Sequence, residues 1–285
     1  MSVAGGQPDP DVAPGELLAV AEEAARRAAA LVSEGGAAGR AAVEATKSSP
    51  TDIVTATDRA AEDLLRAFLS ERRPQDGVLG EEEGWVSGRS GLTWVVDPID
   101  GTVNFVYGIP AYAVSVAVVR GRPDVAGAWE PVAGCVADVS TGQAYTAAAG
   151  VGAWLDGARL GGQQPRRVPP LDQALVSTGF GYESARRRAQ ARVLLELLPR
   201  VRDVRRLGCS ALDLCGVAAG RYDGYYERGL HVWDFAAALL VATQSGVTVS
   251  GVPGRPPSGE LVVAGREPLA TALATELARL GADRD

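Results

Sequence analysis

The residues with the clearest capacity for chemistry lie in one stretch, Trp94-Val95-Val96-Asp97-Pro98-Ile99-Asp100-Gly101-Thr102-Val103-Asn104-Phe105. Two carboxylates three residues apart, Asp97 and Asp100, leave the end of a short apolar run and point into one small volume. Gly101 permits close backbone approach, and its N–H with that of Thr102 can form a nest for an anion. Clustered carboxylates without His or Cys suit a hard cation such as Mg2+. Carboxylates, cation and anion nest together describe metal-assisted phosphoryl transfer to water. An Asp-Pro/Asp-Gly turn joining two strands is the plainer reading of the same residues. On these positions alone both stay open.

The elements that must position these groups can be read outward from the motif. Residues 94–96 form a β-branched and aromatic run of the kind that makes a buried strand. Pro98 has no N–H for a ladder, so the strand is expected to end at Asp97. Upstream, Val78-Leu79 runs into Gly80-Glu81-Glu82-Glu83-Gly84, a short strand ending in an acidic loop. A glutamate triplet is ordinarily a solvated turn, but its place just before the Asp97 strand makes Glu81 a candidate third carboxylate. Earlier still, Lys47-Ser48-Ser49-Pro50-Thr51-Asp52 opens a polar loop that passes through Thr57-Asp58 into a helix. Thr57 is the expected N-cap, with Asp58 and Glu62 well placed for the dipole of the first turn.

Farther out, residues 16–33 carry apolar side chains at helical spacing, and Gly35, Gly36 and Gly39 are expected to end that helix. Residues 113–119, 134–139 and 145–148 read as strands of one sheet, and the Gly/Gln/Pro/Arg-rich residues 161–170 as a linker. Beyond it come a strand at 174–178, a helix at 184–198 and a basic strand edge at 201–207. Gly208-Cys209-Ser210 opens a further helix to Ala219, a start that can bind an anion or hydroxyl groups or simply cap itself. Residues 222–227 are strand-like, and His231-Val232-Trp233-Asp234 leads into an apolar helix at 235–243. A strand at 261–264 and a helix at 267–280 close the chain. The expected organisation is a disordered tail at 1–14, an α+β part at 15–165 carrying the acidic motifs, and an α/β part at 166–285 completing the site.

Composition bounds the function. The chain has 285 residues, 46% of them apolar and 22% charged, with a net charge of −7. That charge argues against a general nucleic-acid binder and leaves an anionic substrate in need of cations. No apolar run approaches the ~18 residues of a membrane span, and the N-terminus lacks the pattern of a signal peptide. Three Cys without a spacing framework suggest a reducing compartment, so a cytoplasmic protein is expected. Lys47, Asn104 and His231 are the sole Lys, Asn and His, and each stands beside one of the motifs.

Other phosphatase and hydrolase chemistries fit poorly. Cys215 and Arg221 match a Cys-x5-Arg spacing, but Cys215 falls on an apolar helix rather than in a cradling loop. The aspartyl-phosphate phosphatases use Asp-x-Asp, whereas Asp97 and Asp100 are separated by two residues, Pro98 and Ile99. There is no Gly-x4-Gly-Lys-[Ser/Thr] loop and no Gly-x-Ser-x-Gly elbow.

Taken together, Gly80-Glu81-Glu82, the Asp97-to-Phe105 motif and Trp233-Asp234-Phe235-Ala236-Ala237 resemble the inositol monophosphatase family in order and spacing. The Lys47-to-Asp52 loop, Thr57-Asp58 and Tyr225-Tyr226-Glu227 carry the same resemblance, which covers about residues 16–280. It implies an α/β (layered α+β) sugar-phosphatase fold with alternating helix and sheet layers, a lithium-sensitive activity and, as is usual there, a homodimer; the charge and hydropathy above lead to the expectation of no nucleic-acid and no membrane partner. It further implies two to three Mg2+ ions: Glu81, Asp97 and the Ile99 carbonyl at one, Asp97, Asp100 and Asp234 at a second, and Glu81 again at a third through water. Thr102, hydrogen-bonded to Asp58, would orient the attacking water, with Glu81 assisting. The amides of Gly101 and Thr102 would take the phosphate. Ring hydroxyls of a small phosphorylated polyol would meet Asp100, Gly208, Cys209, Ser210, Glu227 and Asp234. Cys209-Ser210 departs from the family pattern, as does Gln244-Ser245-Gly246-Val247.

The expected reaction is hydrolysis of inositol-1-phosphate. Histidinol phosphate or another sugar or nucleotide phosphate is the alternative within the family, and a regulatory, protein-binding relative is the alternative outside enzymes.

Overall fold

The computed structural model describes residues 12–40, 43–46, 53–161 and 167–284. Residues 1–11 of the expected tail at 1–14 and the Lys47-to-Asp52 loop lie outside these residues, as does 162–166 of the expected linker; Pro14, the tail's expected last residue, instead begins a helix.

Helix α1 (Pro14–Arg40) and a two-stranded ribbon, β1 (Val43–Thr46) with β2 (Ile53–Thr55), lead into α2 (Ala56–Arg72). An eight-stranded sheet follows, built from β3 (Gly77–Gly80), β4 (Gly84–Val86), β5 (Leu92–Asp100), β6 (Ala113–Gly121), β7 (Trp129–Asp138), β8 (Ala144–Ala148), β9 (Gly152–Leu155) and β10 (Ala158–Arg159). A short helix, α3 (Thr102–Tyr107), interrupts it after β5. The second half interleaves β11 (Leu175–Thr178), α4 (Ser184–Leu197), β12 (Asp203–Arg205), α5 (Ser210–Ala218), β13 (Gly224–Glu227), α6 (Val232–Gln244), β14 (Thr248–Ser250), β15 (Val262–Gly265) and α7 (Leu269–Leu280).

Strand alternation sorts these elements into layers. Along β5, Trp94 and Val96 pack with Leu17, Ala24, Leu65 and Phe68 of α1 and α2. Val95 faces the other way, into a core shared with Leu214 and Phe235 of α5 and α6. Successive side chains point to opposite faces of a strand, so one sequence serves both cores. The five-stranded sheet, in the order β12-β11-β13-β15-β14, repeats the arrangement. Tyr225 and Ala264 pack toward α5 and α6, while Tyr226 and Val263 pack toward α4 and α7. The alternating helix and sheet layers expected from the sequence are present.

Three local expectations are corrected. The strand does not stop at Asp97: β5 runs to Asp100 through a bulge, its pairing with β6 passing from Asp97↔Ser115 directly to Asp100↔Ala113. Pro98 and Ile99 occupy the bulge, where a proline breaks no ladder bond. Thr55, not Thr57, caps α2: its hydroxyl accepts the Asp58 N–H at 3.3 Å, and its own N–H donates to the Asp58 carboxylate at 2.8 Å. Helix α1 continues past Gly35, where the missing Cβ makes room for α2; a Cβ there would stand 3.3 Å from the Thr57 side chain.

Candidate active site

Strand pairing brings the first two acidic motifs together. β3 lies parallel to β5 with Gly80 opposite Val96, so Glu81 leaves its strand at the level of Asp97. Past that point the bulge withdraws the Ile99 N–H from the ladder, and it donates instead to Asp97 Oδ1 at 3.0 Å. Asp97 is thereby fixed at the edge of the bulge, buried to 2% exposure. Gly101 turns the chain with φ +93°; a Cβ there would stand 2.9 Å from the Ala111 carbonyl and 3.1 Å from that of Gly208. This is the close approach that glycine permits.

Thr102 Oγ1 then lies 3.1 Å from Asp58 Oδ1 and 3.0 Å from the Ile99 carbonyl. Asp58 is fully buried, its other oxygen taking the N–H and hydroxyl of Thr55. The pairing of Thr102 with Asp58 that the family resemblance implies is therefore present across 44 residues of chain.

The second half of the chain closes on this motif. Asp100 Oδ2 accepts the Ala211 N–H at 2.6 Å, the Ser210 hydroxyl at 3.1 Å and the Cys209 thiol at 3.2 Å. The start of α5 is thus docked on Asp100. Asp234, in the first turn of α6, accepts the His231 N–H at 2.6 Å. Glu227, at the end of β13, accepts the Tyr225 hydroxyl at 2.9 Å, and a Cβ on Gly179 would run into its carboxylate.

These groups border one cleft of about 470 Å³, lined by Glu81, Asp97, Ile99, Asp100, Gly101, Thr102, Gly208, Ser210, Glu227 and Asp234. Two of the expected site residues stand behind the wall rather than on it: Asp58, backing Thr102, and Cys209, fully buried beneath Asp100. Sequence reasoning passed over Arg186 and Arg206, which line the same cleft, and His231, noted only for its rarity, lines it too while stacking on Trp233 at 4.7 Å. Arg206 stands two residues before the Gly208 turn, a place that could have marked it.

The cleft is electrostatically costly as it stands. Burial first, then the charges of Asp100 and Glu81, hold Asp234 well above the usual carboxylate range. Burial also raises Asp100 against the lowering bonds from Ala211, Cys209 and Ser210. Burial pushes Glu227 up to about 7, and Asp213, fully buried on α5, is raised well above its usual range by burial and by Glu227. Several acids crowded out of water raise one another in this way. Among the described residues no three Asp, Glu, His or Cys side chains form a closed ligand cluster, so the acids share a cleft without converging on one point. The donor set is all oxygen, carboxylates and one carbonyl, and its charge is unbalanced; both features fit a hard divalent cation.

The Cys-x5-Arg match has no such geometry. Cys215 is fully buried in α5, where burial holds its thiol far above the thiolate range. Arg221 lies over the Tyr145 ring and bonds Gln143.

Comparison with known proteins gives a consistent result. The sequence profile of the inositol monophosphatase family matches residues 14–282. Inositol-1-monophosphatase of Mycobacterium leprae (strain TN) is 48% identical over 288 residues, 95% of this chain and 96% of that protein. A protein named Nus factor SuhB, of Escherichia coli (strain K12), is 37% identical over 241 residues, 84% of this chain and 86% of that one. Among solved structures, Mycobacterium tuberculosis SuhB superposes with a TM-score of 0.76 at 44% identity, covering 95% of this chain and 99% of that chain.

Proposed function

The chain belongs to the inositol monophosphatase family, and on that footing we propose that it is a Mg2+-dependent phosphomonoesterase that hydrolyses inositol-1-phosphate to inositol and phosphate. The observation that supports this most is the meeting of Glu81, Asp97, Asp100 and Asp234 on one cleft, with Thr102 on the same wall and Asp58 directly behind it.

In this proposal Glu81, Asp97 and the Ile99 carbonyl would hold one ion, and Asp97, Asp100 and Asp234 would hold a second, with Glu81 serving a third through water. Bound Mg2+ supplies positive charge to offset the acids and the phosphate, and the acidity that makes water a nucleophile near neutral pH. The protein's own groups do the rest. Thr102 would accept a hydrogen bond from the attacking water while its own hydroxyl donates to the Asp58 carboxylate, and this pairing would fix the direction of attack. The amides of Gly101 and Thr102 take phosphate oxygens in the nest made by the positive φ of Gly101. Glu227, with the Gly208–Ser210 turn, faces the polyol end, where a carboxylate can accept from ring hydroxyls.

A phosphate-release assay with Mg2+ over inositol-1-phosphate, histidinol phosphate, fructose bisphosphate and phosphoadenosine phosphate tests the assignment. Inositol-1-phosphate is expected to give the highest kcat/KM; a clear preference for another member of the panel moves the chain to that activity.

The name Nus factor carried by the Escherichia coli relative favours a second reading, a regulatory protein-binding role. The complete set of acids supports catalysis all the same, since a binding protein has no use for so costly a cleft. A folded Asp97→Asn variant separates the two, because it abolishes hydrolysis and leaves the outer surface intact.

A further inference from the structure

Glu62 is a fully buried carboxylate one turn along α2 from Asp58. Its two oxygens are shared between two backbone groups of the β3–β4 hairpin tip. Oε2 accepts the Glu82 N–H at 2.8 Å, and Oε1 accepts the Glu83 N–H at 3.0 Å. Arg66, a further turn along, donates to Oε1 at 2.8 Å and to the Gly84 carbonyl at 2.6 Å. A Cβ on Gly80 would run into the Glu62 carboxylate, so the strand preceding Glu81 is shaped around it. Burying one more acid beside an acidic cleft is unfavourable unless it is fully bonded. Here the guanidinium and two amides supply that bonding.

We infer that Glu62 is a positioning residue of the reaction: by holding the 81–83 tip through its backbone it sets where the Glu81 carboxylate stands, and with it the affinity for the cation. The inference rests on the proposal that Glu81 is a cation ligand. One face of α2 then serves the site twice, Asp58 orienting Thr102 and Glu62, four residues on, orienting Glu81. The chemistry requires a carboxylate at this place. Two converging N–H donors need two acceptor oxygens, and a glutamine offers one oxygen and turns an NH2 toward the other donor.

The test is Mg2+ titration calorimetry without substrate on the wild type, Glu62→Gln, Glu81→Gln and Asp97→Asn, with a thermal melt of each. Glu62→Gln should bind Mg2+ about 10–100-fold more weakly, the scale for removing a group that orients a ligand, and kcat should largely recover at saturating Mg2+. Mg2+ affinity within about twofold of wild type in a folded Glu62→Gln protein overturns the inference. If Glu81→Gln and Asp97→Asn also leave Mg2+ binding untouched, the cation assignment itself fails, a separate result. A second measurement needs no variant: in the wild-type chain, Mg2+ should slow amide hydrogen exchange at Glu82 and Glu83, because tip and ligand are coupled. Unchanged exchange at both amides overturns the inference whether or not Glu62→Gln folds.

Discussion

The side-chain amide of Asn104 stands 2.7 Å from the Leu207 carbonyl, 103 residues away in sequence. The same nitrogen is 2.7 Å from the Ala111 carbonyl. An amide NH2 has two protons, and here one ties the loop after α3 while the other ties the segment that opens α5. The sole asparagine of the chain thus joins the two halves of the cleft, beside the Gly101 turn.

Replacing it should therefore loosen the polyol end before the metal end. Asn104→Ala removes the donor to the buried Ala111 carbonyl and to the half-buried Leu207 carbonyl, at a cost of about 1–3 kcal/mol. For a chain of this size that lowers Tm by roughly 2–4 °C per kcal/mol. KM for substrate should rise while Mg2+ affinity, measured by calorimetry, changes little. Equal losses in both would show that the amide supports the whole site rather than the Gly208 turn.

Asp97→Asn should reduce kcat by several orders of magnitude in a protein that still folds. An asparagine oxygen can keep the bond from the Ile99 N–H, so the bulge survives. What is lost is the charge proposed to bridge two ions. Circular dichroism and a melt check the fold, and near-normal turnover at moderate Mg2+ would remove the two-ion assignment.

For Thr102 the expected signature is the opposite split. Thr102→Ala should lower kcat by about 10²–10⁴-fold, the scale of a positioned proton-transfer group, with Mg2+ affinity nearly unchanged. Thr102→Ser keeps the hydroxyl facing Asp58 and should restore most of the rate. A large loss of Mg2+ binding in Thr102→Ala would reassign the residue as part of the cation site.

The raised acids make a prediction about pH. Glu227 has its ordinary value near 4.5 when unfolded and about 7 in the folded chain. The folded state thus holds a proton that the unfolded state has already lost across that window, so stability present below pH 4.5 is lost as pH rises through about 7. Asp100, Asp234 and Asp213 shift in the same direction. In EDTA, Tm should fall between about pH 5 and about pH 8. Mg2+ should raise Tm more at the upper end, where the cleft carries most charge. A Tm gain from Mg2+ that is the same at both ends would mean the ion does not sit among these acids.

How much of this could be read in advance depended on the length scale of the cause. The Asp97–Asp100 motif, Glu81 and Asp234 were legible because each is a short string at a strand or helix end. The bulge was not: Pro98 reads as a strand terminator, and only the skipped pairing with β6 lets the strand run on. Two threonines, Thr55 and Thr57, compete to cap α2, and the three-residue spacing to Asp58 decides for Thr55. Glu62 looked like a dipole acid because its partners, Glu82 and Glu83, lie 20 and 21 residues downstream. Arg206 lines the cleft, and its place two residues before the Gly208 turn was the one local signal for it.

The proposed function puts substrate choice at Glu227. Its carboxylate ends β13, accepts the Tyr225 hydroxyl, and lines the same cleft as the Gly101 turn. A buried acceptor shaped for hydroxyl groups discriminates against substrates without them, because it is then left unpaired. Glu227→Gln keeps size and one acceptor oxygen but removes the charge. It should cost about 1–3 kcal/mol in kcat/KM for inositol-1-phosphate, the scale of a hydrogen bond to a charged group. A small phosphomonoester without a polyol ring should be affected much less. Since burial holds Glu227 up at about 7, its charge develops only as pH rises through neutrality. The gap between wild type and Glu227→Gln should therefore widen from about pH 6 to about pH 8. Parallel kinetics on both substrates across that range decide the matter: equal losses would place Glu227 in the support of the fold or the cations, and a loss confined to histidinol phosphate would make a cationic substrate the natural one.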